Sequence, residues 1–234
     1  MASIQLVAFD LDGTLVDSVP DIAHAVDTMV RELDLPPPGI GKVREWVGDG
    51  VRRLVKRALT GVLDGEPDAA LYRRGFEAFR RAYGTHLAVD TRLYPGVREV
   101  LDHLQRADIR MACITNKSAE FTEPLLDALG IRSYFGVVLS GDSLTQRKPD
   151  PLPLLHAARH FKIVPAQACM VGDSVNDLQA ARAAGFRAIG VRYGYGGDLS
   201  AARPDAMLNS LTELPPLLEK WTAGLATATA SRYV

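Results

Sequence analysis

Between Ile109 and Val191, short apolar runs alternate with helical stretches, and few folds accommodate that order. Ile109 to Ile114 precedes a helical pattern over about 119–129. Val137 to Leu139 precedes a helix opened by Asp150-Pro151, an N-cap residue followed by proline at the first helical position. Ala168 to Val171 precedes a helix from Val175 to Ala184 that Gly185 ends, and Ala188 to Val191 is a further strand. Ile4 to Ala8 supplies an earlier one. Apolar runs this short, bounded by turn residues, read as buried strands. Strand–helix repetition implies right-handed crossovers. The expected fold is therefore α/β: a doubly wound, mostly parallel, Rossmann-like sheet with helices on both faces.

Strand signals vanish between Ser18 and about Arg92. Ser18-x-x-Asp21 has the form of a capping box with Asp in place of Glu or Gln. Ile22, Val26, Met29, Val30 and Leu33 then follow helical spacing up to Leu35-Pro36-Pro37-Pro38-Gly39. Val51, Leu54, Val55, Ala58 and Leu59 mark a second amphipathic helix, with Asp49 as its N-cap; Tyr72, Phe76, Phe79 and Tyr83 mark a third. An insert of this length can form its own small bundle. The expected organisation is a core made of 1–17 and 93–225, a helical cap over 18–92, and a flexible tail over 226–234, with fraying from Thr222.

Composition narrows the class. The hydrophobic fraction of 47% and charged fraction of 24% are those of an ordinary globular protein, and a net charge of −1 gives no general attraction to nucleic acid or membranes. Cys113 and Cys169 fall inside apolar runs and read as reduced core thiols. No basic segment leads into a long apolar stretch, so neither a signal peptide nor a transmembrane span is expected, and the expected location is cytoplasmic.

Carboxylates stand directly after two of the strands: Asp10 and Asp12 in Phe9-Asp10-Leu11-Asp12-Gly13-Thr14-Leu15, Asp173 and Asp177 in Gly172-Asp173-Ser174-Val175-Asn176-Asp177. Open α/β sheets bind ligands at the carboxyl ends of their strands. Acids crowded there repel one another unless a cation holds them, and an oxygen-only set suits magnesium. Each piece alone has a plainer reading. Asp-x-Asp-Gly is common turn chemistry, Ser118 could cap the helix after Thr115-Asn116, Lys148 could be a loop lysine, and Asp173 could favour a helix dipole. His156 and His160, four apart on a helix, have no third ligand near them and read as a polar face rather than a zinc site.

Asp10-x-Asp12-Gly13-Thr14, Thr115-Asn116-Lys117, Lys148-Pro149 and Gly172-Asp173-Ser174-Val175-Asn176-Asp177 occur in that order after successive strands. Together they resemble the four motifs of the haloacid dehalogenase superfamily of phosphohydrolases, over residues 4 to about 215, with the insert as its helical cap. Asp17-Ser18-Val19-Pro20-Asp21, Trp46-Val47-Gly48-Asp49-Gly50, Leu93-Tyr94-Pro95-Gly96-Val97 and Tyr193-Gly194-Tyr195-Gly196 most resemble the bacterial phosphoglycolate phosphatases within it.

The resemblance implies a magnesium-dependent phosphomonoesterase acting on a small anionic phosphate ester, 2-phosphoglycolate first, as a monomer or homodimer. It assigns Asp10 as nucleophile and Asp12 as general acid and base. Gly13, Thr115, Asn116 and Lys148 would bind the phosphate, and Asp10, Asp12 (by its carbonyl), Asp173 and Asp177 would serve the metal, Asp177 as ligand or behind the ligands. Alternatives on the same scaffold are a phosphatase for another small ester, a sugar phosphomutase, or a non-catalytic regulator. A dehalogenase has no use for the acid at Asp12, and a phosphonate hydrolase would draw its Schiff base from Lys42 or Lys56, the cap's only lysines.

The cap stretch 42–57 holds Lys42, Arg44, Arg52, Arg53, Lys56 and Arg57 against Glu45 and Asp49, an excess that would draw an anion. Trp46 reads as a core anchor. Gly48 and Gly50 would let the start of the second cap helix approach a substrate, whose carboxylate its free amides and Arg52 or Arg53 would hold; turn residues and solvated arginines are the rival reading.

Overall fold

The computed structural model describes residues 3–230, with side chains as far as residue 222. Strand β1 (Leu6–Phe9) and the short β2 (Val16–Asp17) lead into four consecutive helices, α1 (Val19–Glu32), α2 (Ile40–Trp46), α3 (Val51–Thr60) and α4 (Ala69–Thr85). The chain returns through β3 (Arg92–Leu93) and α5 (Val97–Arg106) to β4 (Arg110–Ile114), α6 (Ala119–Ala128), β5 (Val137–Leu139) and α7 (Leu152–Phe161). It closes with β6 (Ala168–Gly172), α8 (Val175–Ala184), β7 (Arg187–Val191), β8 (Ala206–Leu208) and α9 (Leu214–Ala230).

The main sheet is parallel throughout and runs β5-β4-β1-β6-β7-β8. Strand alternation divides β1 between two cores. Val7 and Phe9 pack with Leu101 and Leu104 of α5, Leu125 of α6 and Leu214 of α9. Leu6 and Ala8 point the other way, against Leu154 and Ala157 of α7 and Leu178 and Ala181 of α8. Both cysteines are buried in the first of these layers, and burial pushes their thiols up, as packed core cysteines require.

A third apolar cluster unites Ile22, Val26 and Met29 of α1, Val43 and Trp46 of α2, Leu54 and Val55 of α3, and Phe79 and Tyr83 of α4. Phe121 of α6 joins it from below, with its ring 4.8 Å from that of Tyr83. The helical insert is thus a bundle with its own core that sits on the sheet's carboxyl edge. β2 and β3 pair antiparallel, Val16 with Leu93, so the two chains entering and leaving the bundle are held side by side.

Several local expectations are corrected. The insert has four helices, because seven residues suffice for α2 once Val43 and Trp46 reach the cluster. Ser18 sits at the start of α1 but its hydroxyl donates to Asp12, and Asp21 makes no capping box. The Asp21 carboxylate instead accepts the amides of Asp90 and Thr91 and the Thr91 hydroxyl, fixing the chain that leaves the bundle. Helix α7 starts at Leu152, one turn position later than expected, with Asp150 still accepting the Leu152 amide. β8 adds a sixth strand, and α9 is helical to Ala230 where fraying from Thr222 was expected; residues 231–234 lie outside the described residues.

Asp21 is fully buried, so removing its carboxylate strands two amides and a hydroxyl away from water. Asp21→Ala should destabilise the fold by roughly 2–3 kcal/mol, measured by urea unfolding. An effect under a few tenths of that would show that the exit chain is held by other contacts.

Candidate active site

The order of the sheet reverses at β1, whose neighbours β4 and β6 come from later in the chain on either side. Such a switch point opens a crevice at the strands' carboxyl ends. Register places Asp10, Thr115 and Asp173 there, each just past the last paired residues of β1, β4 and β6. Lys148 reaches in from the loop between β5 and α7. Its Nζ donates to Asp10 Oδ1 at 2.7 Å, Asp177 Oδ1 at 2.6 Å and the Ile114 carbonyl at 2.5 Å. No described residue donates to Asp10 Oδ2, which is left toward the crevice. The Thr115 hydroxyl accepts the Lys117 amide and keeps its own proton to donate.

The second acidic cluster is shaped by glycines and one tyrosine loop. Asp173 accepts the Tyr195 amide at 2.7 Å and the Thr14 hydroxyl at 3.3 Å. Gly13 has φ +87°, and a Cβ there would strike the Asp173 carboxylate and lie 2.9 Å from the Tyr195 ring. Glycine at this position is therefore demanded by protein contacts as well as by any phosphate. Tyr195 also accepts the Ser18 amide and donates to Asp17, while Tyr193 donates to the Thr14 carbonyl. The 193–196 loop, read from sequence only as part of a likeness, buttresses both ends of the site.

Asp177 is fully buried one turn into α8. Its Oδ2 accepts the Ser174 amide and hydroxyl in a capping box, and its Oδ1 accepts Lys148. One Asp177 oxygen meets an ammonium and the other meets two donors, with no exposed surface, so Asp177 stands behind the site; each Asp173 oxygen meets a single neutral donor and keeps a lone pair. Asp10, Asp173 and Asp177 offer oxygens within 4.8 Å of one another. Of these, Asp10 and Asp173 are the better placed to ligate an ion, and an all-oxygen set fits magnesium.

Burial dominates the protonation of both. It lifts Asp10 to about 7, with the Lys148 charge pulling down and Asp177 and Asp12 pushing up. It lifts Asp173 to about 8, helped by the charges of Asp10 and Asp177. Carboxyls that hold protons near neutrality because of burial and mutual repulsion are a donor set that a divalent cation would ionise.

Asp12 faces the bundle. Its carboxylate accepts the Ser18 hydroxyl at 2.5 Å and Lys117 Nζ at 3.1 and 3.2 Å. Lys117 was singled out in the sequence only as the third residue of its motif. It is buried, and its ammonium also donates to the Tyr83 hydroxyl of α4 at 2.7 Å. Burial opposes its charge, but Asp12 and Tyr83 outweigh burial and raise its pKa. Further contacts dock the bundle on the sheet domain. Asn116 Nδ2 donates to the Gly48 and Lys148 carbonyls, Asn176 Nδ2 to Asp49, and Arg80 to Glu120. Between the two bodies lies a cavity of about 50 Å³, lined by Asp10, Asp12, Thr115 and Lys117 below and by Val47, Val51, Leu54 and Phe79 above.

The cap assignments from sequence are largely overturned. Arg53 pairs with Asp64 and Glu66, and Arg52 lies over the Phe76 ring; neither lines the cavity. The positive excess of 42–57 is partly offset from the next loop by Asp64 and Glu66, with Lys56 also on Glu66. Asp49 does not cap α3, which Gly50 precedes; it binds Arg57 and Asn176. Gly48 and Gly50 do line the cavity. Gly50, at φ +84°, would place a Cβ 2.9 Å from the Asn116 carbonyl, so the docking of the cap loop on β4's end itself requires glycine there. His156 and His160 are exposed on α7, and no metal-like cluster among the described residues includes them.

The haloacid dehalogenase-like hydrolase family model matches residues 4–185. The phosphoglycolate phosphatase of Nitrosococcus oceani is 48% identical over 218 residues, covering 92% of this chain and 97% of that protein. That of Nitrosospira multiformis is 49% identical over 219 residues, with 93% and 96% covered. Among solved structures, a predicted phosphoglycolate phosphatase from Haemophilus somnus superposes with a TM-score of 0.87 at 33% identity, covering 93% of this chain and 99% of that one.

The raised carboxyls make a pH prediction. In chelator, the folded state binds protons that unfolded aspartates, at 3.8, have released. The stability these protons confer is complete below the unfolded value and is lost as pH rises through the folded values of about 7 and about 8. The melting temperature of the parent protein should therefore fall relative to that of Asp173→Asn between roughly pH 5 and 8.5, and saturating magnesium should remove the trend. A constant offset across that range would refute the assignment.

Proposed function

The chain belongs to the haloacid dehalogenase-like hydrolases and is a phosphoric monoester hydrolase, and we propose that it uses magnesium to hydrolyse 2-phosphoglycolate to glycolate and phosphate through an aspartyl phosphate. The observation that carries the reading is Asp10, with one carboxylate oxygen held by Lys148 and the other turned to the cavity. Its substrate is suggested by the names of the relatives, and the narrow, apolar-roofed cavity favours a short molecule over a sugar phosphate.

Asp10 and Asp173, with the Asp12 carbonyl, would hold the ion, which when bound neutralises charge between the phosphate and the carboxylate that must approach it. Thr115 would donate to a phosphoryl oxygen, and Lys148, whose three protons go to Asp10, Asp177 and the Ile114 carbonyl, would contribute its positive charge near the phosphate. Asp10 Oδ2 attacks phosphorus; the P–O ester bond breaks, and the leaving oxygen takes both the electron pair and a proton from Asp12. Water then attacks the phosphorus of the aspartyl phosphate, giving its proton to the Asp12 carboxylate. Phosphate leaves and Asp10 is restored.

Purified protein with magnesium should release phosphate from 2-phosphoglycolate in preference to other small esters. Asp10→Asn should abolish turnover, since the amide is neither nucleophile nor anionic ligand, while the protein stays folded. Near-normal turnover in this variant would rule out the covalent route. Asp12→Asn should still be phosphorylated by an activated aryl ester, whose leaving group needs no acid, but far more slowly by an alkyl ester. Equal losses in single-turnover phosphorylation would remove Asp12 from the acid role.

A further inference from the structure

Lys117 is the one cationic side chain among the described residues lining the cavity. Lys148, below it, is committed to Asp10 and Asp177. Lys117 instead faces a single carboxylate, that of Asp12, and a neutral phenol, that of Tyr83. Lys117 and Tyr83 both line the cavity, so together they present one cation and one neutral hydroxyl to an anionic group bound there.

We propose that Lys117, with the Tyr83 hydroxyl, is the site that reads the substrate's carboxylate and thereby sets the preference for a short phosphorylated acid. This rests on the substrate reading given above. The geometry suits it: Lys117 touches the group that serves the leaving oxygen, and in 2-phosphoglycolate a single methylene separates that oxygen from the carboxylate. Tyr83 accepts its bond from Lys117 and so keeps a proton to donate. Burial holds that phenol up to about 12, so it remains a donor through the neutral range. Arg52 and Arg53, the cations expected in this role from the sequence, are engaged elsewhere. The apolar roof of Val51, Leu54 and Phe79 offers a carboxylate nothing. Because Tyr83 belongs to α4 of the bundle, reading the acid also ties the cap to the occupied site.

The test compares 2-phosphoglycolate with ethyl phosphate, which replaces the carboxylate by a methyl group and keeps the leaving oxygen. Lys117→Met disturbs Asp12 and should slow both substrates. Its ratio of kcat/KM for the acid over ethyl phosphate should fall further, by about 10- to 100-fold, chiefly through KM. Tyr83→Phe keeps the ring packing and the lysine, and should lower the same ratio by about 3- to 10-fold; it remains informative if Lys117→Met fails to fold. Parallel losses on the two substrates in either folded variant would overturn the proposal, leaving Lys117 as a positioning residue for Asp12. If the unmodified protein shows no preference for 2-phosphoglycolate over ethyl phosphate, the substrate reading itself fails, and the proposal with it. The two failures are thus distinguished by which protein lacks the preference.

Discussion

Lys148 Nζ lies within hydrogen-bonding distance of Asp10, Asp177 and the Ile114 carbonyl, and so fastens the ends of β1 and β4 and the first turn of α8 to the loop after β5. A buried ammonium is tolerated only where anions and acceptors surround it. This one is satisfied on three sides, which fixes the rotamer of Asp10 and dictates which of its oxygens is available. Three carboxyl groups, Asp10, Asp173 and Asp177, stand against this one cation, so ionising all three would leave two negative charges uncompensated at the sheet's edge. A divalent ion matches that deficit in charge, and the oxygen donors match its chemistry. Burial supplies the rest of the tension, because it is the main reason both Asp10 and Asp173 resist ionisation.

Apart from the bond of Asn176 in α8 to Asp49, the bundle is held to this edge by contacts that converge just past the end of β4. Asn116 reaches the Gly48 carbonyl, Lys117 reaches Tyr83, and Phe121 enters the bundle's own apolar cluster. Close approach of Gly50 to the Asn116 backbone requires a residue without a side chain there. Cap and core therefore share one short stretch, residues 115–121, that also contains the candidate phosphate-binding hydroxyl. Closure and phosphate binding act on the same backbone, with the paired β2 and β3 and the Asp21 anchor as the connection at the other side.

What could be read from the sequence was local. The acids after β1 and β6, Thr115 after β4 and the helix signals of α8 follow from turn chemistry and apolar runs a few residues long, and the structure brings them together at the switch point. What was misread depended on partners distant in the chain or without periodic signature. Arg53 looked like a candidate anion binder because Asp64 and Glu66 lie in an aperiodic loop that nothing marks as its neighbour. Asp21 looked like a cap because its true partners come 69 and 70 residues later. Lys117 drew no role because Asp12 is 105 residues away and Tyr83 is on another body. α2, seven residues long, falls below the length at which periodicity discriminates, and β8 is Ala-Met-Leu, without the β-branched residues that mark the equally short β5.

The two buried lysines divide the electrostatic work of a substrate with an anion at each end. Lys148 has fixed partners, and its charge belongs to the phosphate end whatever the state of the reaction. Lys117 has one anionic partner, Asp12, and beside it only the neutral Tyr83 hydroxyl, and it is the cation among the described residues that lines the cavity. A phosphate ester with a neutral tail would make no use of that charge; one with a carboxylate tail would meet it. The carboxylate is not a reacting group, so a contact to it acts alike before and during bond cleavage and shows in affinity.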